Sequence, residues 1–157
     1  MVLVAVSDQL TKLWIVQQFT LHETLPVIPG FFNLTLLYNS GAAFGILSDL
    51  PLLWRQIFFI SISVIALTSL VIMQYKLGSR HVLYAVSFGL ISGGALGNML
   101  DRLRWGAVAD FLDFYIGKYH WPAFNVADSG ITVGIALFIV LQFWEEKKKL
   151  LKEADTT

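Results

Sequence analysis

Two short stretches carry the residues best suited to chemistry: Val108-Ala109-Asp110-Phe111 and Phe124-Asn125-Val126-Ala127-Asp128. Carboxylates are costly at the edge of hydrocarbon, and a chain that keeps several there generally uses them for function. Two carboxylates sharing a site cannot both ionise easily, so one keeps a proton and acts as acid while the other acts as base. The pattern points to an intramembrane hydrolase working through Asp110 and Asp128. Plainer readings stand beside it. Asp110 taken alone is a solvated loop charge, and Asp128 could stabilise a helix N-terminus through the macrodipole. That second reading is set aside because Asp128 falls several residues into its apolar run and Asn125 accompanies it. Asp113 competes with Asp110: in a helix both would share a face, and spacing alone does not choose.

Other polar groups recur beside apolar runs. Asn98-Met99-Leu100-Asp101-Arg102 closes one such run. Asp101 with Arg102 reads as a salt bridge or cap, or else Asn98 and Arg102 point donors at a substrate backbone or lipid head group. Gly89, Gly93 and Gly97, with Gly94 beside them, let helices approach closely. Asn39-Ser40-Gly41-Ala42-Ala43-Phe44-Gly45 reads as a turn, or as room for a substrate backbone to approach. Asp8 and Lys12 stand at i and i+4, the order that favours a helical ion pair; a structural pair is at least as good a reading as a binding role.

Composition narrows the class. Of 157 residues, 56% are hydrophobic and only 14% charged, which places the chain on the membrane side of ordinary soluble domains. A formal net charge of zero supplies no basic field for nucleic acid. The absence of cysteine removes disulfides, thiolate metal sites and a cysteine nucleophile. There is no His-Glu-x-x-His zinc helix and no glycine-rich phosphate loop, and a serine dyad has no evident histidine partner. No metal or other cofactor is called for.

These groups need elements to hold them. Residues 57–73 and 82–100 contain no charge, and 124–144 only Asp128; each is close to the ~20 residues that cross a bilayer. Residues 1–19, interrupted early by Asp8 and Lys12, are read as the remainder of a first spanning helix rather than a secretory signal peptide. The expectation is a mainly α membrane protein: one membrane-embedded domain over 1–157, a four-helix bundle with spans near 1–19, 56–75, 82–100 and 124–144. Lys76 and Arg80 after the second span, and Lys147, Lys148, Lys149 and Lys152 after the fourth, put both termini in the cytoplasm. Both aspartates then lie near the outer face. Trp54, Trp105, Trp121 and Trp144 near the span ends suit interface anchors. A turn at Val27-Ile28-Pro29-Gly30 and β-formers over 32–38 predict a small extracytoplasmic β-platform between helices 1 and 2.

Taken in order, Asp8-Gln9-Leu10-Thr11-Lys12, Tyr38 to Phe44, Gly93 to Arg102, Val108 to Phe111 and Phe124 to Asp128 resemble the lipoprotein signal peptidases, the type II signal peptidases of bacteria. The resemblance covers nearly the whole chain, although family members normally carry more residues before the first motif. It implies an inner-membrane aspartic endopeptidase that removes the signal peptide of a prolipoprotein just before a diacylglyceryl-modified cysteine. By motif match it implies Asp110, rather than Asp113, and Asp128 as the catalytic pair. Asn39, Gly41, Gly94, Asn98, Arg102, Asn125 and Ala127 would contact substrate, with Asp8, Lys12 and Asp101 in support. It also implies membrane lipid and globomycin-type cyclic peptides as ligands. Two other classes remain from the residues alone: a small transporter or channel subunit, and a scaffold protein.

Overall fold

A computed structural model describes residues 1–41, 47, 51–78 and 81–154. The elements run α1 (Val2–Gln18), β1 (Thr24–Ile28), β2 (Phe32–Asn39), α2 (Leu52–Leu77), α3 (Val82–Trp105), β3 (Val108–Ile116), β4 (Tyr119–His120) and α4 (Val126–Ala154). Among the described residues three helices, α2, α3 and α4, are long and apolar enough to cross a membrane. At roughly 1.5 Å per residue, 26 residues of α2 extend about 39 Å. Only Leu70 of α2 is buried, so its apolar side chains point outward, as they do in a helix solvated by lipid. Two of its hydroxyls are satisfied locally: Ser63 and Thr68 donate to the Phe59 and Val64 carbonyls, each at 2.8 Å.

Helix α1 is built the other way round. Ala5, Asp8, Lys12 and Ile15 are buried, a spacing of three and four that lines one face. Leu3, Leu10 and Trp14 face out. The charges that break its apolar run therefore point into the bundle.

Helices α3 and α4 have chemical boundaries. His81 Nδ1 accepts from the Leu83 amide at 3.2 Å where α3 begins. Gly106, at φ +74°, ends it in the left-handed conformation, with its amide on the Arg102 carbonyl at 3.0 Å. Asn125 Oδ1 accepts from the Asp128 amide at 3.0 Å, and the Asp128 carboxylate accepts from the Asn125 amide at 3.2 Å. This reciprocal pair is a capping box at the start of α4. Asp128 thus lies in the first helical turn, and the helix-end role set aside above is one that it fills.

The sheet also differs from expectation. It has four antiparallel strands in the order β1-β2-β3-β4. The platform is therefore not confined to the connection between α1 and α2: the segment after α3, expected as an outer loop, supplies half of it. Helix α3 continues to Trp105, so Arg102 and Arg104 belong to its last turn. The turn at Pro29-Gly30 is present, with Gly30 at φ +83°. A bulge interrupts β2 where the register moves from Leu34↔Leu112 to Leu37↔Asp110. The extra residue reverses which side chains face which way: Asn33 stands opposite Asp113, and Asn39 opposite Val108.

Two apolar clusters brace the molecule. Ile15, Leu36, Ala109 and Phe111 join α1 to the sheet, and Leu70, Tyr84, Phe88 and Leu141 join α2, α3 and α4.

Candidate active site

Asp110 and Asp113 are three apart on a strand, so the period of two sends them to opposite faces of β3. The helical alternative, in which they would share a face, is overturned. Asp110 faces α4 and is 4% exposed. Its Oδ1 accepts from Asn125 Nδ2 at 2.7 Å. Asn125 thus links the pair: its side-chain amide reaches the Asp110 carboxylate and the Asp128 backbone amide, and its own backbone amide donates to the Asp128 carboxylate. Asp128 Oδ1 accepts a further bond from Asn98 Nδ2 at 2.7 Å.

Asp110, Asp128, Asn39, Gly41, Asn98 and Arg102 all line one cavity of about 610 Å³. Residues 121–124 form another wall, with Ser129, Thr132 and Val133 of α4. Burial pushes the Asp110 carboxyl up from 3.8 to about 7; the nearby Asp128 charge adds to the shift, and hydrogen bonds from Asn125 and Asn39 oppose it. One carboxyl of the pair can therefore hold a proton near neutrality beside a second carboxyl, an arrangement that performs acid and base steps together.

A second polar layer stands behind the cavity. Lys12, fully buried, lies 2.8 Å from Asp8 and 2.7 Å from Asp101. Asp101 therefore pairs with Lys12, not with its neighbour Arg102. Lys12 Nζ also donates to Asn98 Oδ1 at 2.9 Å, leaving that side chain's amide nitrogen for Asp128. Each buried aspartate fixes the amide just before an aspartate of the cavity: Asp8 accepts from Ala127 at 2.8 Å and Asp101 from Ala109 at 3.2 Å. Gln9, given no role by the sequence reading, joins the two by donating to Asp101 at 2.7 Å and to Asp8 at 3.3 Å. Its place beside Asp8 was the one available signal.

The small residues explain how this layer closes. A Cβ at Gly94 would overlap the Ala127 carbonyl, and one at Gly97 would meet the Asp8 carboxylate at 2.5 Å. Gly93 lies against α1 in the same way. The glycine ladder thus packs α1 and α4 onto α3 within the chain. Arg102 reaches over the Phe59 ring at 4.5 Å and donates to the Gly41 carbonyl at 3.2 Å. Residues 42–45 of the expected small-residue turn, and Arg80, lie outside the described residues. Asn125, Ala127 and Gly94 sit behind the cavity surface and shape it from there.

Comparison with known proteins gives this geometry a context. The family model described as signal peptidase (SPase) II matches residues 1–144. A lipoprotein signal peptidase of Syntrophus aciditrophicus is 46% identical over 147 residues, covering 94% of this chain and 91% of that protein. One from Geobacter sulfurreducens is 49% identical over 144 residues, covering 92% and 89%. A solved structure described as a bacterial membrane enzyme, at 2.3 Å resolution, superposes with a TM-score of 0.86 at 38% identity, covering 94% of this chain and 87% of that one. A second, at 1.9 Å, gives 0.79 at 39% identity, covering 90% and 88%. The chain is a membrane peptidase and belongs to the signal peptidase II family.

Proposed function

We propose that the chain is an aspartic endopeptidase that removes the signal peptide from diacylglyceryl-modified prolipoproteins, cutting just before the lipidated cysteine. The observation that carries this reading is the convergence of Asp110 and Asp128 on one cavity, bridged by Asn125. Asp128 takes a proton from water, and the water oxygen attacks the carbonyl before the cysteine. Asp110, which holds its proton near neutrality, delivers it to the departing amine nitrogen, completing the division of acid and base labour. The products are a carboxyl-ended signal peptide and a free amino group on the cysteine. Arg102, Asn98, Asn39 and Gly41 line the path of the substrate backbone and head group, and positioning of that kind lowers the barrier through orientation.

The membrane setting follows the same reading. Residues 1–157 act as one membrane-embedded domain of the bacterial inner membrane, with α1 completing a fourth crossing. The lysines at the end of α4 keep both termini cytoplasmic, so cavity and sheet lie at the outer face. The acyl chains of the substrate remain in the bilayer against the apolar outer surfaces of the helices. Globomycin-type cyclic peptides compete for the cavity.

Mass spectrometry of a lipidated precursor incubated with purified protein in detergent tests the proposal, with and without globomycin. Asp110→Asn and Asp128→Asn are each expected to lower turnover by about 10²–10⁴-fold, the range for loss of a positioned acid or base. Near-normal cleavage by either variant would refute the assignment.

A further inference from the structure

The wall formed by residues 121–123 has a second side. Beyond it lies a cavity of about 550 Å³ that shares Trp121, Pro122 and Ala123 with the first. The two cavities differ in what surrounds them. The first draws on α3 and α4 as well as the ends of β2 and β3, whereas the residues lining the second come from the strands and their connections, including His22, Thr24, Thr35, Asp113 and His120. Both cavities touch the sheet, and the first also reaches into the bundle.

The second cavity is firmly built. Asp113, 8% exposed, accepts from Asn33 Nδ2 at 2.8 Å and pairs with His120 Nδ1 at 2.8 Å. The His120 ring stacks on Tyr115 with centroids 4.9 Å apart. A single carboxylate thus ties β2, β3 and β4 together. The shared wall is held to β3 at both ends: the Trp121 amide donates to the Phe114 carbonyl at 2.8 Å, and the Phe124 carbonyl accepts from Phe111 and Leu112 at 3.0 and 2.8 Å. A ligand spanning both cavities must therefore cross a fixed lip.

We propose that this second cavity is a subsite for the first residues of the mature polypeptide, downstream of the scissile bond. The inference rests on the peptidase reading above and concerns where the substrate goes after the cut. A signal peptide is apolar and suits the helices; the acyl chains stay in lipid; only the mature segment is polar and suits the sheet. The cavity offers chiefly acceptors. The Asp113 carboxylate accepts, and because the Thr35 hydroxyl donates to the Glu23 carbonyl at 2.9 Å, the Thr24 hydroxyl 3.1 Å away donates to Thr35, leaving lone pairs on both threonines. Those acceptors match main-chain N–H groups and do not depend on large side chains. Asp113, His120 and Thr24 are then specificity-determining residues for the length of chain after the cysteine.

The test uses two substrates of the full-length protein: a complete prolipoprotein, and a lipopeptide ending at the lipidated cysteine. The wild type is expected to bind the complete substrate more tightly. Thr24→Trp, at an exposed edge-strand position, fills the cavity and leaves the Asp113–His120 pair intact. It is expected to raise the KM ratio of long to short substrate roughly tenfold, the equivalent of one or two lost hydrogen bonds. An unchanged ratio overturns the proposal, as does equal wild-type KM for the two substrates. Photo-crosslinking removes dependence on the variant's folding. A photoreactive residue is placed at each of the first few positions after the cysteine, with Asp110→Asn to hold the complex. Adducts on Thr24, Thr35, Asp113 or His120 support the subsite, and adducts confined to other residues exclude it. Wild-type protein that cleaves neither substrate instead sinks the peptidase reading itself.

Discussion

The molecule contains two sets of buried carboxylates that share neighbours and differ in their compensation. Asp8 and Asp101 surround the Lys12 ammonium, and each also accepts a backbone amide. Asp110 and Asp128 have amide donors and, among the described residues, no ion pair; they face a cavity that Arg102 also lines. Charge that is matched on the spot holds structure; charge left half-matched beside an opening is available for reaction. The closed set also positions the open one, because the backbone amides that donate to it sit one residue before each cavity aspartate.

That contrast can be broken from the closed side first. Lys12→Met strands two buried carboxylates and is expected to cost about 3–5 kcal/mol, the penalty for removing one partner of a buried pair. Thermal denaturation in detergent micelles measures it, and a change within error would make the Lys12 network dispensable. Gly94→Ala is next. A methyl group pressed on the Ala127 carbonyl is expected to destabilise by about 1–3 kcal/mol through overpacking. It should also lower turnover, since the start of α4 carries Asp128.

The open side is sharpened by pH. Asp110 holds its proton up to about 7 in the fold, against 3.8 for the ordinary carboxyl. Its contribution to stability is therefore complete below pH 3.8 and is lost as pH rises through about 7. Asp110→Asn should flatten that slope in melts recorded across the window. If its proton is the catalytic acid, kcat/KM of the wild type falls above pH ~7 by about tenfold per unit. A profile level to pH 9 or so would assign the acid elsewhere. The smallest effect belongs to the outward face of α2: Thr68→Ala removes only a bond to its own helix and should change stability by less than about 0.5 kcal/mol.

How much of this was legible in the sequence varies with the physical signal. Helices α2, α3 and α4 were readable because runs of spanning length with at most one charge have few other meanings. Helix α1 was obscured because hydropathy averages around the helix, and its charges occupy only the inward face. Strand β3 was taken for a loop or a helix since it is buried along most of its length, so no polar and apolar alternation marks it. Asp110 and Asp128 could be singled out as carboxylates beside apolar runs. Spacing could not separate Asp113 from Asp110; the motif match favoured Asp110, and the strand sends the two to opposite faces. Asn33 lies 80 residues from Asp113, and no spacing rule reaches that far. The bulge in β2 was equally silent, yet it lets one strand turn Asn33 toward Asp113 and Asn39 toward the opposite face.

The capping box at α4 has a bearing on timing. Asp128 is oriented by the amide of Asn125, and Asn125 in turn reaches Asp110 on a strand from a different part of the chain. Under the proposed mechanism, a nascent protein whose last helix has not seated carries two ordinary acids far apart. Cutting ability would switch on only when that final segment docks, so half-inserted copies would pose no hazard to neighbouring membrane proteins.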